Sequence, residues 1–255
     1  MIDMCTLALY FRVFPGCPLL VAANRDERYD RPSLPPYLWD SKPAIVAGKD
    51  LSAGGTWLGV NERGLLVGIL NRRPTTAAKP DHRSRGLLCL DLLRLQSARG
   101  ACSFMQRHRE LYPPFTAVFA DSKEAWVAFN LEERIERTLL NPGLHVFSST
   151  GLHDEQSEKK LRAYQTFAAL TPDLKPTSQE SQTWISALAQ ALGDHRLGDR
   201  ANDPKDAICV HSDVSGTVSS CIVVHFAGQS RFDTFYCPGA PCRNSFGGSL
   251  PLFTP

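Results

Sequence analysis

Thr6-Leu7-Ala8-Leu9-Tyr10-Phe11-Arg12-Val13, then Phe14-Pro15-Gly16-Cys17-Pro18, then Leu19-Leu20-Val21-Ala22-Ala23-Asn24-Arg25-Asp26-Glu27 read as strand, turn and strand. The outer runs are apolar, of strand length, and rich in branched and aromatic side chains. Between them proline fixes φ and glycine is free to take a positive φ, the chemistry of a tight turn. An antiparallel hairpin about this turn pairs residues whose numbers sum to roughly 32 or 33, setting Cys5 opposite residues 27 and 28. Arg25 and Asp26 then lie one or two pairing steps away, at about 3.3 Å per residue. The hairpin thus carries a thiol, a guanidinium and a carboxylate to one place.

That grouping suits nucleophilic chemistry. A thiol attacks as the thiolate, and a neighbouring cation lowers a cysteine pKa from ~8.5 into the range ~3.5–7.5. Arg25 stays charged at any working pH. Asp26 can orient Arg25 or hold an ammonium group by a charge-assisted hydrogen bond. The candidate ammonium is the α-amine of Cys5 itself, with Met4 as a start residue that is then removed. Such an amine titrates at about 7.7–8.0, well placed for a general base. One residue then supplies nucleophile and base together. The plainer reading of Cys5 is a small buried hydrophobe.

Further along, residues 28–43, rich in Pro and Arg, read as a surface loop. Ala44–Gly48 is a short strand. Ser52-Ala53-Gly54-Gly55 permits a sharp bend or a close backbone approach. Thr56–Val60 and Leu65–Leu70 form a second hairpin whose pairing sums to roughly 125, setting Asn71 opposite Gly54. The Asn71 amide can donate to an oxyanion, a role worth ~3–4 kcal/mol per donor, or it caps the turn into Arg72-Arg73-Pro74. Trp57 reads as a core anchor or a pocket wall. Ser84 caps a helix, Ala101–Glu110 forms a second, and Phe115–Ala120, Ala125–Asn130 and Ile135–Leu140 make a meander. Asp154–Leu170 is an amphipathic helix with Leu161, Tyr164, Phe167 and Ala168 on one face. Thr183–Leu192 is another helix, and Ala207–His211 pairs with Thr217–Phe226 as strands. We expect one domain over residues 4–236, then an unstructured Pro/Gly/Ser-rich tail over 237–255.

The 255 residues carry 43% apolar and 21% charged side chains and a formal charge of +2. That balance is ordinary for a soluble globular protein and gives no drive toward nucleic acid. No run approaches the ~20 apolar residues of a membrane span, and no signal peptide is apparent. The eight cysteines, with no secretory signal, read as mostly reduced thiols in a cytoplasmic protein, Cys237 and Cys242 being the one pair close enough in sequence for a local disulfide or clip. No serine-hydrolase elbow, zincin or P-loop motif is present. The seven histidines have no metal-ligand spacing; His211 beside Cys209 is a pair able to bind soft metal or heme iron, though such neighbours also arise by accident.

Met4-Cys5-Thr6, Asn24-Arg25-Asp26-Glu27 and Gly54-Gly55-Thr56-Trp57-Leu58-Gly59-Val60-Asn61 resemble the NRDE family, also called the transport and Golgi organisation protein 2 family. That family is similar to N-terminal-nucleophile (Ntn) hydrolases of the bile-salt hydrolase and penicillin V acylase type. The resemblance implies an α+β fold, a four-layer αββα sandwich of two antiparallel sheets flanked by helices. It implies amide hydrolysis on a small acyl amide, with Cys5 as nucleophile, Arg25 and Asp26 beside it, and Asn71 as oxyanion donor. Asn24, Glu27, Gly54, Gly55 and Trp57 are then expected on the substrate side, with Glu27 bonded to a backbone amide or to Arg28. Two positions depart from the family pattern: Thr150 stands where an oxyanion-binding Asn is usual, its hydroxyl still able to donate one weaker hydrogen bond as a second oxyanion donor, and Val218 stands where an Arg is usual. The rival expectation is a non-catalytic protein that binds or carries heme or an acyl lipid. No cofactor is expected for the hydrolase.

Overall fold

The opening hairpin forms as strands β1, Thr6–Phe14, and β2, Cys17–Arg28. Its register differs from the expected one. Phe14 pairs with Cys17 across a Pro15-Gly16 turn, and a β-bulge follows between Phe11 and Phe14, where Arg12 takes a φ of 52°. The bulge absorbs a residue, so Thr6 pairs with Asn24. Continuing the ladder one step sets Cys5 opposite Arg25, not opposite residues 27 and 28.

The computed structural model describes residues 5–39, 41–72, 81–131, 133–149, 157–179, 181–197, 203–229 and 231–249. After the hairpin come β3 (Ser33–Trp39), β4 (Ile45–Asp50), β5 (Leu58–Asn61), β6 (Leu66–Asn71), and helices α1 (Arg85–Leu93) and α2 (Ala98–His108). The chain continues through β7 (Phe115–Ala120), β8 (Ala125–Asn130), β9 (Ile135–Leu139) and β10 (Gly143–Ser148). Helices α3 (Glu158–Leu170) and α4 (Ser181–Leu192) precede β11 (Ser215–His225) and β12 (Phe232–Pro238). Two antiparallel sheets result, one ordered β10-β1-β2-β11-β12 and the other β3-β4-β5-β6-β7-β8-β9.

Two compact units divide the described residues, one built from 5–30 and 142–249, the other from Arg31–Asn141. In the first, Ala8, Tyr10, Leu20, Ala22, Ile222 and Val224 pack on Phe167, Trp184 and Leu188 of α3 and α4. In the second, Val67, Ala117 and Phe119 share a core with Leu88, Leu92, Ala101 and Met105 of α1 and α2. Each unit is thus a helix layer on a sheet. Ser84 and Ser97 cap α1 and α2 by accepting from Leu87 and Gly100 amides, so α2 starts a few residues earlier than its apolar pattern indicated.

Three further expectations change. Part of the 28–43 loop is β3, an edge strand whose bulge falls between Leu34 and Tyr37, around Pro35-Pro36; prolines lack the N–H a central strand needs and are tolerated at an edge. Residues 207–210 form no strand, because the Cys209 amide donates to the Asp194 carbonyl and the Val210 amide to the Thr217 hydroxyl. Only an isolated bridge, His211 with Gly216, remains. Past the expected domain end at residue 236, β12 runs on to Pro238 and a turn follows, with the Arg243 and Asn244 amides bonded to the Ala240 carbonyl.

Candidate functional site

Cys5 closes the ladder at the end of β1. Its carbonyl accepts from the Ser149 amide at 3.0 Å, and its thiol points to the Asp26 carbonyl at 3.8 Å. Side chains alternate along a strand. Asn24 faces the helices, because its Nδ2 donates to the Leu192 and Ile208 carbonyls, both at 2.9 Å. Its neighbours Cys5 and Arg25 therefore share the opposite sheet face. Glu27 joins them: its Oε2 lies 3.9 Å from Arg25 Nη2, and its Oε1 accepts from the Arg28 amide, as expected for that residue. Cys5, Arg25 and Glu27 are all buried. Ser149, across from Cys5, carries a buried hydroxyl without a hydrogen-bond partner among the described residues.

Asp26 turns the other way. Its carboxylate is 2% exposed and accepts from Lys159 Nζ at 2.9 Å and from Thr217 Oγ1 at 2.6 Å. Burial pushes this carboxyl above its ordinary range, opposed by the Lys159 ammonium and the Thr217 hydroxyl. Asp26 thus meets Cys5 through its main chain, while its acid group anchors β2 to α3 and β11. Asn24, expected on the substrate side, is fully buried and also accepts from Ser220 Oγ at 2.6 Å. Its amide is spent tying β2 to the end of α4 and to residue 208. Val218 is the extra residue of a bulge in β11 between Thr217 and Ser219, opposite Asp26 and Arg25.

The second unit holds Asn71, Gly54, Gly55 and Trp57. Asn71 ends β6 and pairs with Phe115 of β7, not with Gly54, because β5 begins only at Leu58. Arg85 donates to Asn71 Oδ1, which assigns the oxygen end of that amide. Gly54, at φ +75°, closes a turn onto the Asp50 carbonyl. A Cβ on Gly55 would meet the Gly86 carbonyl carbon at 2.1 Å. Gly55 therefore serves the junction with the start of α1, and Gly54 the turn before it. The carbonyl of Trp57, which is half-buried, accepts from Ile69. Thr150 lies outside the described residues.

Sequence reasoning missed Lys159 and Thr217. Lysine reads as a surface residue, so the helical pattern was phased on Leu161 and Tyr164, which are 51% and 48% exposed. The buried stripe of α3 is Lys159, Ala163 and Phe167. Also missed was Asp194, which accepts from Arg162 and from the side chain and amide of Arg196. Desolvation raises its carboxyl pKa, but the hydrogen bonds from Arg196 and Arg162 outweigh it and hold the group at about 2.

Among the described residues no helix is long and apolar enough to cross a membrane. Similarity to solved structures lies in the fold: a penicillin V acylase from Agrobacterium tumefaciens superposes with a TM-score of 0.58 at 11% identity, over 97% of this chain and 98% of that one. The Caenorhabditis elegans ortholog of N-acylethanolamine-hydrolyzing acid amidase gives 0.53 at 13% identity, over 86% and 92%. In sequence, the mouse Transport and Golgi organization 2 homolog is 38% identical over 109 residues, 40% of this chain and 38% of that protein. The human homolog is 45% identical over 56 residues, 21% of this chain and 20% of that protein. The chain thus aligns with well under half the length of these curated relatives. The family model for Transport and Golgi organisation 2 matches residues 4–235, and the chain belongs to that family.

Proposed function

We propose that the chain is an Ntn-type cysteine amidohydrolase acting on a small acyl amide once the residues before Cys5 are removed. The observation that carries this reading is the Cys5 thiol at 3.8 Å from the Asp26 carbonyl, with Cys5 opposite the buried Arg25 where the ladder continues past Thr6 and Asn24. The likeness in fold to amide-cleaving enzymes supports it. In this reaction the Cys5 thiol gives its proton to the freed α-amine and the sulfur attacks the acyl carbon. The amine passes that proton to the leaving nitrogen, a thioester forms, and water then releases the acid and restores the thiol. Arg25 favours the thiolate. Ser149 offers a hydroxyl donor for the oxyanion. The Asp26 carboxylate, held by Lys159 and Thr217, fixes the stretch of β2 that carries Arg25.

The rival, a non-catalytic binder of heme or an acyl lipid, draws on one observation: the Asp26 carboxylate turns toward Lys159 and Thr217, on the sheet face opposite the Cys5 thiol, so the expected acid does not face the nucleophile. An intact-mass measurement separates the two. The hydrolase reading expects a mature chain beginning at Cys5, iodoacetamide labelling of Cys5 at pH 6 ahead of the other thiols, and release of amine from N-acyl amides that Cys5→Ser abolishes. Retention of residues 1–4 in the mature protein would end it. Heme or fatty-acyl binding unchanged by Cys5→Ala, with no amine released, would establish the rival.

A further inference from the structure

His195, Cys209, His211 and Cys242 come together beyond the end of α4 from three separate stretches of chain. One ligand atom of each lies within 4.8 Å of those of the others. Cys209 Sγ is 3.7 Å from Cys242 Sγ and 3.6 Å from His211 Nε2, and Cys242 Sγ is 3.2 Å from His211 Nε2. A tetrahedral ion with ~2.3 Å bonds to sulfur and ~2.0–2.1 Å bonds to nitrogen has S–S edges of about 3.8 Å and S–N edges of about 3.5 Å. The three edges among Cys209, His211 and Cys242 match these to within a few tenths of an ångström, and His195, within 4.8 Å of the others, needs to close by no more than about 1.5 Å. The ring centroids of His195 and His211 stand 5.4 Å apart.

From this geometry we infer a closed Cys2His2 site for zinc or a similar thiophilic divalent cation. Two thiolates and two imidazoles select such an ion over calcium or magnesium, and four protein ligands leave no open position. The ion serves architecture. On binding, each cysteine loses its thiol proton to solvent and donates the sulfur pair to the ion, while the histidines bind through neutral ring nitrogens.

The surroundings are built to hold the ligands still. The Arg196 amide and guanidinium bond to Asp194, and the Asp194 carbonyl accepts from the Cys209 amide, so the His195 and Cys209 stretches are locked together. A Cβ on Gly193 would meet the Cys242 amide nitrogen at 3.3 Å and Cα at 3.4 Å, so glycine there lets the Cys242 turn approach closely. Val210, between two ligands, bonds Thr217 in both directions: its amide to the hydroxyl and its carbonyl to the Thr217 amide, each at 2.9 Å. Thr217 in turn holds Asp26. The ion therefore braces the segment that supports Asp26, and the inference stands whether or not Cys5 is a nucleophile. His195 is exposed and His211 and Cys242 partly so, which gives the ion a path in.

The test uses the full chain, expressed with zinc in the medium and kept reduced. Elemental analysis is expected to find about one zinc per chain. After chelation, cobalt(II) is expected to give the intense visible bands of a tetrahedral ion with thiolate charge transfer. Zinc should raise Tm on the order of 10 °C at saturating concentration. Cys242→Ser, at a partly exposed position, should lose the charge-transfer band while retaining its far-UV circular dichroism. Reduced wild-type protein that keeps no zinc and leaves cobalt octahedral would overturn the site, as would a cobalt spectrum unchanged in Cys242→Ser. The wild-type cobalt spectrum decides alone should the variant not fold.

Discussion

Lys159 and Asp26 show how one buried pair sets the orientation of a helix. The Lys159 ammonium is fully buried, 2.9 Å from an equally enclosed carboxylate. Its position fixes which stripe of α3 faces the sheet and places Ala163 and Phe167 in the core. An isolated charge at such depth is costly, so removing one partner costs more than removing both. Lys159→Met is expected to destabilise the chain by ~3–5 kcal/mol, because Asp26 is left without its cation. The double variant Asp26→Asn/Lys159→Met should recover much of that loss, and urea unfolding of the three proteins measures both. Equal stability of the single and double variants would remove the pair from its orienting role. None of this was readable from residue type, since apolar periodicity weighs lysine as a solvent group. The tetrapeptide containing Asp26 was readable, but the direction in which its carboxylate points was not.

At the scale of elements, the exit of α4 depends on Asp194, which joins α3 through Arg162 and the following loop through Arg196. Its carboxyl sits at about 2 in the folded chain, against ~3.9 when unfolded. As pH falls, the unfolded chain takes up this proton first. The stabilisation is therefore fully present above about pH 4 and is lost as pH falls through about 2. Asp194→Asn should be less stable than the parent at pH 7, and the two should converge near pH 2. Thermal melts across that range check it, and a constant gap at every pH would exclude the assignment. The elements themselves were largely readable: the first hairpin, the capped helices and the meander follow from apolar runs, turn residues and serine caps. Registers were not. A positive φ at Arg12, a residue type that gives no bulge signal, shifts Cys5 opposite Arg25. Cys209 and His211 were visible as neighbours, but His195 and Cys242 join them only through the fold.

Across the whole molecule, the two sheets differ in how far their strands must search for partners. In the seven-stranded sheet, spatial order follows chain order from β3 to β9. Every pairing there joins consecutive strands, and all seven strands lie in one continuous stretch, Arg31–Asn141. The five-stranded sheet closes only when Thr6 meets Ser148 and Asn24 meets Ser220. Those pairings close far longer loops, whose entropy must be met before any contact rewards it. Folding slows as contacting residues become more distant in sequence. The seven-stranded sheet should therefore gain structure first. In refolding followed by pulsed hydrogen exchange, amides of Ala47, Val67 and Val118 are expected to gain protection before those of Leu9, Val21 and Ile222. Simultaneous protection of both sets, or the reverse order, would mean that the hairpin's own apolar content outweighs loop closure. Shortening the long excursion between β2 and β10 would then leave the rate of the five-stranded sheet unchanged, whereas loop-closure control requires it to rise.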